Sequence, residues 1–174
     1  MSKIAIITAL DQNNLIGRGN GLPWPRIKAD MRHFRQTTLG FPIVMGRKTF
    51  ESIGSQPLPM RANIILTRDE NFTHPDCEII NNLEQILAKP EEKIFVIGGA
   101  SIYEQFLPHA SELFLTQISA SFNGDTYFPE ISWPEWRLRE EKLQPSDPEN
   151  RYALRFTVWE RLWYTRATKY GSIW

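Results

Sequence analysis

Short, isoleucine-rich apolar segments recur through the first hundred residues and constrain the fold more than any other feature. The first reads Ile-Ala-Ile-Ile-Thr-Ala-Leu at 4–10, and similar segments occupy 43–45, 63–67 and 94–97. Apolar runs of this length, without alternating polar residues, are typical of strands that are buried on both faces in parallel sheets. The sequence therefore predicts a central, mostly parallel β-sheet.

Helical stretches separate these strands. They are predicted over 28–39, 47–53, 82–88 and 99–107. The third has the pattern of a capping box, with Asn81 as the N-cap and Glu84 three positions on, and Pro90 lies just beyond its end. Strands that alternate with helices indicate an α/β domain flanked by about four helices.

The C-terminal part has a different pattern. Residues 112–118, 136–143 and 151–161 have the composition of strands, and no helical stretch lies between them. We expect them to complete the sheet with an antiparallel hairpin, whose polar linker at 144–150 is a surface loop. One domain is therefore expected over 1–162. The extension at 163–174 has no clear period and is interpreted as a flexible extension or an added tail.

The composition excludes several functional classes. The 174 residues contain 20 basic and 20 acidic side chains, so the net charge gives no reason to expect a nucleic-acid or membrane-surface partner. The single cysteine, Cys77, cannot form an intrachain disulfide, which suits a reducing compartment. Three scattered histidines give no metal-ligand spacing, and no apolar run reaches the roughly 18–20 residues of a membrane span. The histidine spacing gives no reason to expect a metal centre. The start lacks a signal-peptide pattern, so we expect a cytoplasmic protein.

Two junctions between a strand and a helix have features of an anion site. In the first, Gly98-Gly99 follows a buried strand, and glycines there allow backbone amides to approach a ligand at the start of a helix. In the second, Arg47, Lys48 and Thr49 follow Gly46, although cations at a helix start oppose the helix dipole. A tight structural turn or a solvated basic turn explains either junction alone. The two together favour a bound dinucleotide.

Three further features have both a structural and a functional interpretation. Asp30 and Phe34 share one face of the first predicted helix, although an acid in a first turn more commonly serves the helix dipole. Arg61 follows a proline-rich segment and, by itself, is only an exposed loop arginine. The connection at 11–27 contains several glycines and is long enough to be a lid or a disordered loop.

Several short segments resemble those of dihydrofolate reductases in their order and near-spacing. The resemblance extends from about residue 4 to residue 162. The matching segments are Ile16-Gly17, Leu22-Pro23-Trp24, Asp30 with Phe34, 42–50, Glu51-Ser52-Ile53-Gly54, Pro57-Leu58-Pro59 with Arg61-Ala62-Asn63, Ile97-Gly98-Gly99 and 124–129.

The resemblance implies a dihydrofolate reductase-like fold and an activity. The expected reaction is the NADPH-dependent reduction of 7,8-dihydrofolate to 5,6,7,8-tetrahydrofolate, which supplies one-carbon metabolism and thymidylate synthesis. NADPH is the implied cofactor, antifolate-type inhibitors are further expected ligands, and the protein is expected to be a monomer.

The resemblance also implies a set of site residues. Those expected in catalysis are Asp30, Trp24, Thr116 and Tyr103, with a water molecule delivering the proton while Asp30 supports it. Those expected to bind substrate are Ile7, Ala9, Asp30, Met31, Phe34, Arg35, Ile53, Leu58, Arg61, Ile97 and Thr116. Those expected to bind cofactor are Ala9, Ile16, Gly17, Gly46, Arg47, Lys48, Thr49, Thr67, Arg68, Gly98, Gly99, Ala100, Ser101, Ile102, Tyr103 and Gln105. Within the last set, Arg47, Thr67 and Arg68 are expected at the 2′-phosphate.

The chain departs from the family pattern at a few points. One extra residue lies near Pro25 and another near Gln56, and Ser101 stands where some members have a basic residue. Two alternatives stay open, namely a related-fold reductase of a pyrimidine or riboflavin precursor and a non-catalytic folate-binding module. The joint presence of Asp30, Phe34 and Arg61 disfavours the first, and the additional presence of a lid disfavours the second.

Overall fold

The computed structural model of the protein describes residues 2–163. Its strands are β1 (Lys3–Leu10), β2 (Leu15–Gly17), β3 (Ile43–Gly46), β4 (Asn63–Leu66), β5 (Glu78–Ile80), β6 (Lys93–Gly98), β7 (Ala110–Ile118), β8 (Thr126–Tyr127), β9 (Trp136–Gln144) and β10 (Leu154–Arg161). Its α-helices are α1 (Lys28–Thr38), α2 (Arg47–Ser52), α3 (Leu83–Leu87) and α4 (Ala100–Phe106). The predicted elements are all present, with ends that differ by one to three residues. The tail beyond Trp163 lies outside the described residues.

Eight of the strands form one sheet in the order β5-β4-β3-β6-β1-β7-β10-β9. The strands from β5 to β7 pair in parallel, and β10 pairs antiparallel with both β7 and β9. The predicted fold class, a mostly parallel sheet that ends in an antiparallel hairpin, is therefore confirmed. Because β1 and β6 are central and covered on both faces, nearly all of their isoleucines are buried, as in Ile6 and Ile94 at 0% exposure.

The sequence analysis missed three short strands. One is β5, which extends the parallel edge of the sheet beside β4. The others are β2 and β8, which form a separate antiparallel ribbon of two strands. Strand β2 lies within the long connection at 11–27, and β8 is its partner from the segment after β7. Strands of two or three residues are too short to show a period in the sequence, and they are defined by their partners.

The predicted cap of α3 is wrong by one residue. The side chain of Asn82, not Asn81, accepts a hydrogen bond of 2.8 Å from the backbone N–H of Glu84. Asn81 instead donates from its amide to the carbonyl of Thr67 at 2.7 Å. Either asparagine could cap the helix locally, and the contact with Thr67 decides which of them does.

Helix α1 begins without a side-chain cap from its own N-cap residue, Ile27. A residue far along the sequence stabilises its first turn instead, because the side chain of Asn150 accepts a hydrogen bond of 3.1 Å from the N–H of Ala29. Asn150 is 8% exposed and donates in turn to Asp147. The polar linker predicted as a surface loop thus contributes one buried residue that fixes the start of the helix carrying Asp30.

Parallel pairing places the carboxyl ends of β1, β3, β4 and β6 at one edge of the sheet. Loops that follow adjacent parallel strands therefore converge, and this edge is where open α/β sheets bind ligands. Within residues 2–163, no helix is long and apolar enough to cross a bilayer. The same residues contain no group of three or more His, Cys, Asp or Glu side chains that could hold a metal ion.

Candidate active site

A cleft of about 1810 Å³ opens along this edge of the sheet. One half lies between α1, β1 and the segment before β4, and its walls are largely apolar. The other half lies over the strand–helix junctions at Gly46 and Gly98-Gly99. The two halves therefore differ in chemistry, and each is described in turn.

Asp30 is the only acidic side chain lining the apolar half among the residues that the structure describes. It lies in the first turn of α1 and receives a hydrogen bond from the hydroxyl of Thr116. Thr116 reaches this position because it pairs with Ala9 across β1 and β7. Burial raises the pKa of the Asp30 carboxyl above its usual value, and the Thr116 hydrogen bond opposes that rise. A ligand with N–H donors would compensate for the water that this carboxylate has lost.

Several apolar side chains around Asp30 are left open to solvent. Leu22, Met31 and Ile53 are 63%, 45% and 40% exposed, and all three line the cleft. Phe34 and Leu58 are partly buried against the core on the same side. Apolar groups of this size that converge on one concavity are typical of a site for a flat, largely apolar ligand.

Arg61 lies at the cleft mouth, beside the C-terminal end of α1. Its Nε donates to the carbonyl of Pro59 at 2.9 Å, and its Nη1 donates to the hydroxyl of Thr38 at 3.0 Å. These bonds fix the plane of the guanidinium and leave further N–H groups for a ligand. Burial and the neighbouring charge of Arg35 lower the pKa of Arg61. A carboxylate placed between the two arginines would relieve this repulsion.

Tyr103 lies beneath the junction between β6 and α4. Its hydroxyl donates to the carbonyl of Ile7 at 2.9 Å, and burial raises its pKa. Gly98 has φ +127°, and a Cβ there would lie 3.3 Å from the Tyr103 hydroxyl. Glycine is thus required at 98 by backbone conformation, and the packed tyrosine forms part of the floor beside it.

Arg47, at the start of α2, is already engaged by two carboxylates. Its Nε donates to Glu51 at 2.8 Å, its Nη1 donates to Asp69 at 2.6 Å, and its guanidinium lies 5.0 Å from the Phe72 ring centroid. These acids raise the pKa of Arg47, with the Glu51 hydrogen bond as the largest cause. The basic junction predicted from the sequence is therefore part of an ion-pair network.

Asp69 belongs to a turn that follows β4. Its backbone N–H donates to the Thr67 hydroxyl at 3.2 Å, and its Oδ1 accepts from the N–H of Asn71 at 3.0 Å. Its other oxygen meets Arg47. The turn therefore places Thr67, Arg68 and Asp69 beside Arg47 in the second half of the cleft.

The long connection at 11–27 is anchored to the segment at 120–126. Asp11 accepts hydrogen bonds from the N–H groups of Leu15 and Phe122, each at 2.9 Å. Further along, the N–H of Gly19 donates to Asp125 at 3.0 Å, which lowers the pKa of that carboxyl. Ile16 and residues 19–22 reach the cleft from this connection. The connection therefore has defined structure over the cleft edge.

The sequence model of the family described as "Dihydrofolate reductase" matches residues 3–161. This chain belongs to the dihydrofolate reductase family. It is 42% identical over 159 residues to the dihydrofolate reductase of Haemophilus influenzae, covering 90% of this chain and 98% of the relative. It is 41% identical over 162 residues to that of Staphylococcus haemolyticus, covering 92% and 96%.

A solved structure extends the similarity to three dimensions. It is the dihydrofolate reductase from Enterococcus faecalis complexed with NADP(H) and RAB-propyl. The TM-score is 0.86 at 33% identity, and the match covers 92% of this chain and 96% of that one. The family and the fold expected from the sequence are thereby confirmed.

The cleft of this dihydrofolate reductase family member brings together nearly all of the site residues predicted from the sequence. Every residue predicted to bind substrate or cofactor lines it. Trp24, predicted to take part in catalysis, does not line it. Trp24 is 5% exposed and packs with its ring centroid 5.6 Å from that of Phe122.

The sequence analysis also missed residues that line the cleft. Asp69 and Glu51 hold Arg47, and Lys28 and Arg32 lie on the exposed rim. A signal for the rim was present, since Lys28, Arg32 and Arg35 follow helical spacing. No local signal could have paired Asp69 with Arg47, because they are 22 residues apart.

Proposed function

We propose that this protein catalyses the NADPH-dependent reduction of 7,8-dihydrofolate to 5,6,7,8-tetrahydrofolate in the cleft. The product is the carrier on which one-carbon metabolism and thymidylate synthesis depend. The observation that carries the proposal is the Asp30 carboxyl, held by Thr116 within an apolar half-cleft. Membership of the dihydrofolate reductase family supports the same reaction.

In this proposal, Asp30 receives the amino-pyrimidine edge of the pterin. A carboxylate accepts two parallel N–H donors well, and such charge-assisted bonds offset its desolvation. Thr116 orients the carboxyl. Asp30 then favours protonation of the ring nitrogen that lies next to the carbon being reduced, and a water molecule delivers the proton. The raised pKa of Asp30 supports this role, because a carboxyl that titrates closer to neutral pH is a better partner in proton transfer.

The remaining substrate contacts follow from the walls of the same half. Ile7, Ala9, Met31, Phe34, Ile53, Leu58 and Ile97 cover the pterin and the ring that follows it. Arg61, with Arg35 beside it, binds the α-carboxylate of the glutamate tail. The guanidinium of Arg61 suits this role because Thr38 and Pro59 already fix its plane.

The second half of the cleft fits a dinucleotide phosphate. The two junctions approach closely, since a Cβ on Gly46 would lie 3.0 Å from Ile102 and one on Gly99 would lie 3.3 Å from the Thr49 hydroxyl. Bound NADPH supplies the hydride that reduces the pterin ring. Lys48, Thr49 and the backbone from Gly98 to Ile102 bind the pyrophosphate side, with Gln105 nearby. Arg47, Thr67 and Arg68 bind the 2′-phosphate, and Ser101 contributes no charge there.

The segment at 11–27 serves as the lid in this proposal. Ile16 and Gly17 contact the nicotinamide end of the cofactor site, and Tyr103 forms its floor. Closure over the reacting rings would exclude bulk water, so lid motion or product release is a candidate for the slow step. Trp24 belongs to the same segment and anchors it by packing against Phe122.

The same proposal covers the setting in which the protein acts. We expect the protein to act as a monomer, and we expect it in the cytoplasm because its one cysteine is free, which suits a reducing compartment. Antifolates that present an amino-pyrimidine edge should compete with dihydrofolate for Asp30. Nucleic acid is not an expected partner, given the balanced charge.

The decisive experiment measures oxidation of NADPH by its absorbance with and without dihydrofolate. The reaction should require both ligands and the enzyme, and an antifolate should stop it. A matched pair of variants is Asp30→Asn, which should nearly abolish the reaction, and Asp76→Asn, which removes a charge outside the cleft and should leave it unchanged. If purified protein binds both ligands and does not oxidise NADPH, the proposal is wrong.

A further inference from the structure

The first turn of α1 carries Asp30, yet its own residues do little to start a helix. The N-cap residue is Ile27, whose side chain cannot accept a hydrogen bond, and the first helical residue is Lys28, a cation that opposes the helix dipole. Asp30 is the third residue of the helix, so its position depends on how firmly this turn is formed. The first N–H groups of a helix need partners from outside it. A partner for this turn must therefore come from elsewhere in the chain.

Asn150, in the loop between β9 and β10, supplies that partner. Its side-chain oxygen accepts a hydrogen bond of 3.1 Å from the N–H of Ala29, which lies 121 positions away in the sequence. An N-cap side chain bonds the N–H of the second or third helical residue, and Ala29 is the second. Asn150 therefore caps α1 from another element, and the residue that it holds directly precedes Asp30.

Asp147 fixes the orientation of the Asn150 amide. One carboxylate oxygen of Asp147 accepts from the backbone N–H of Asn150 at 2.7 Å and from its Nδ2 at 3.1 Å. The other oxygen accepts from the same Nδ2 at 3.2 Å. These bonds hold Nδ2 toward Asp147 and leave Oδ1 for Ala29. The hydrogen bonds that Asp147 accepts, with the one from the Asn150 backbone as the largest cause, lower its pKa, so it stays an ionised acceptor near neutral pH.

Apolar packing holds the same loop against the connection that precedes α1. The ring centroid of Tyr152 lies 5.2 Å from that of Phe122, which lies 5.6 Å from that of Trp24. Leu154 is buried in one cluster with Trp24 and Ile27, the N-cap residue of α1. The acceptor oxygen is therefore carried by a loop whose place relative to the first turn of α1 is fixed.

Two contacts from two elements thus determine where the Asp30 carboxyl lies. The hydroxyl of Thr116, on β7, donates to the carboxyl, and Asn150 anchors the backbone at Ala29. A carboxylate that accepts two parallel N–H donors needs both its distance and its plane set. A displacement of about 1 Å at a reacting group can cost as much as 10²-fold in rate. The backbone anchor therefore matters to binding as well as to the helix.

We infer that Asn150 is a positioning residue for Asp30 and thereby sets how tightly the site binds an amino-pyrimidine edge. This inference rests on the proposed function, which assigns Asp30 to the pterin. Asn150 does not line the cleft, so it acts through the first turn of α1 and not by touching the ligand.

The test measures calorimetric binding of a diaminopyrimidine antifolate to the wild type, Asn150→Ala, Asp30→Asn and the double variant. Loss of an N-cap changes the equilibrium at a helix end by a factor of about 2 to 30, so Asn150→Ala should weaken antifolate binding roughly 10-fold. NADPH binding should not change, because the cofactor half is built on other elements. In the Asp30→Asn background, Asn150→Ala should have no further effect, because its effect passes through Asp30.

Two further variants separate positioning from stability. Asn82→Ala removes the side-chain cap of α3, which contacts β5 at the far edge of the sheet from β9. It should lower Tm about as much as Asn150→Ala and leave antifolate affinity unchanged. The exchange variant Asp147→Asn/Asn150→Asp keeps a donor amide facing an acceptor carboxylate and keeps an acceptor for Ala29. It should restore most of the affinity that Asn150→Ala loses.

Four results would overturn the inference. These are unchanged antifolate affinity in Asn150→Ala, an equal loss in the Asp30→Asn background, an Asn82→Ala variant that loses as much affinity, and an exchange variant that binds no better than Asn150→Ala. The proposed function is judged separately, by NADPH oxidation in the wild-type protein. A wild type that oxidises NADPH with dihydrofolate, together with an Asn150→Ala variant of full affinity, would refute only the positioning role.

Discussion

The ion pairs of Arg47 lead to a specific prediction about cofactor choice. Arg47 keeps N–H groups for a 2′-phosphate, but the charges of Glu51 and Asp69 beside it oppose a bound phosphate, and Asp69 at 2.6 Å is the nearer of the two carboxylates. Asp69→Asn should release Arg47, because an amide nitrogen cannot accept its N–H. The asparagine oxygen can still accept from Asn71, so the turn after β4 should persist. NADPH should therefore bind more tightly to the variant, and NADH should bind as before.

The exposure of these groups sets the magnitude. Arg47 and Asp69 are 41% and 39% exposed at their side chains, so solvent screens the pair strongly. Pairs of this kind change an equilibrium constant by a factor of about 1.5 to 5, which is the gain expected for NADPH. Because a bound 2′-phosphate competes with Glu51 and Asp69 for Arg47, the net contribution of Arg47 to NADPH binding is also reduced. Arg47→Ala should therefore lower kcat/KM for NADPH by about 10-fold, at the low end of the 10–100-fold range of a charge-assisted contact.

The assay is calorimetric binding of NADPH and NADH to the wild type, Asp69→Asn, Arg47→Ala and the double variant. Asp69→Asn should have no effect in the Arg47→Ala background, because its effect passes through Arg47. Glu70→Gln removes a neighbouring exposed acid that makes no bond to Arg47 and serves as the control for net charge. The preference for NADPH should fall with salt in every form. Weaker NADPH binding in Asp69→Asn would refute the reasoning and would show that Asp69 positions Arg47 for the phosphate.

Three other predictions concern the substrate half and the tail. Asp30→Asn should reduce turnover near neutral pH by about 10²–10⁴-fold, with a smaller loss in acid. Burial raises the pKa of Asp30 in the folded state, so ionisation of this carboxyl costs stability once the pH rises above its ordinary pKa. The variant should therefore have a higher Tm than the wild type at neutral pH and no advantage in acid. An unchanged rate or a lower Tm would contradict these expectations. Arg61→Leu should weaken dihydrofolate binding about 10–100-fold and spare a pterin without the glutamate, and equal losses for both would show that Arg61 only shapes the site. Removal of residues 163–174 should leave turnover unchanged, and a truncated protein that fails to fold would show that the tail packs on the domain.

The central sheet could be predicted because its signal is local and repeated. The parallel strands β1, β3, β4 and β6 are covered on both faces, so their apolar runs stand out in the sequence. The short strands β2, β5 and β8 have no such run, and their structure depends on a partner far along the chain. The error in the predicted cap of α3 has the same cause. Two adjacent asparagines are locally equivalent, and only the contact with Thr67 distinguishes them.

The candidate site was predictable where a residue's place depends on the end of a strand or the face of a helix. Asp30 and the glycine junctions are such cases, whereas the role expected of Arg61 came from the family resemblance alone. Long-range contacts determined the rest. The sequence predicts cations at the start of α2, but the orientation of Arg47 depends on Asp69 in another turn. Trp24 was expected in catalysis, but it is buried against Phe122 and does not line the cleft.

The two halves of the cleft differ in how their cations are satisfied. In the cofactor half, Glu51 and Asp69 partly neutralise Arg47 before any ligand binds. The net free energy that the phosphate gains is therefore its attraction to Arg47 less the attraction that these two carboxylates already supply. In the substrate half, Lys28, Arg32, Arg35 and Arg61 line the cleft, and none of them forms an ion pair with a carboxylate among the described residues, so an anionic tail gains its contacts in full. Long-range attraction therefore acts mainly on the substrate. It follows that salt should slow the association of a folate with the protein more than that of NADPH, although NADPH carries the greater negative charge.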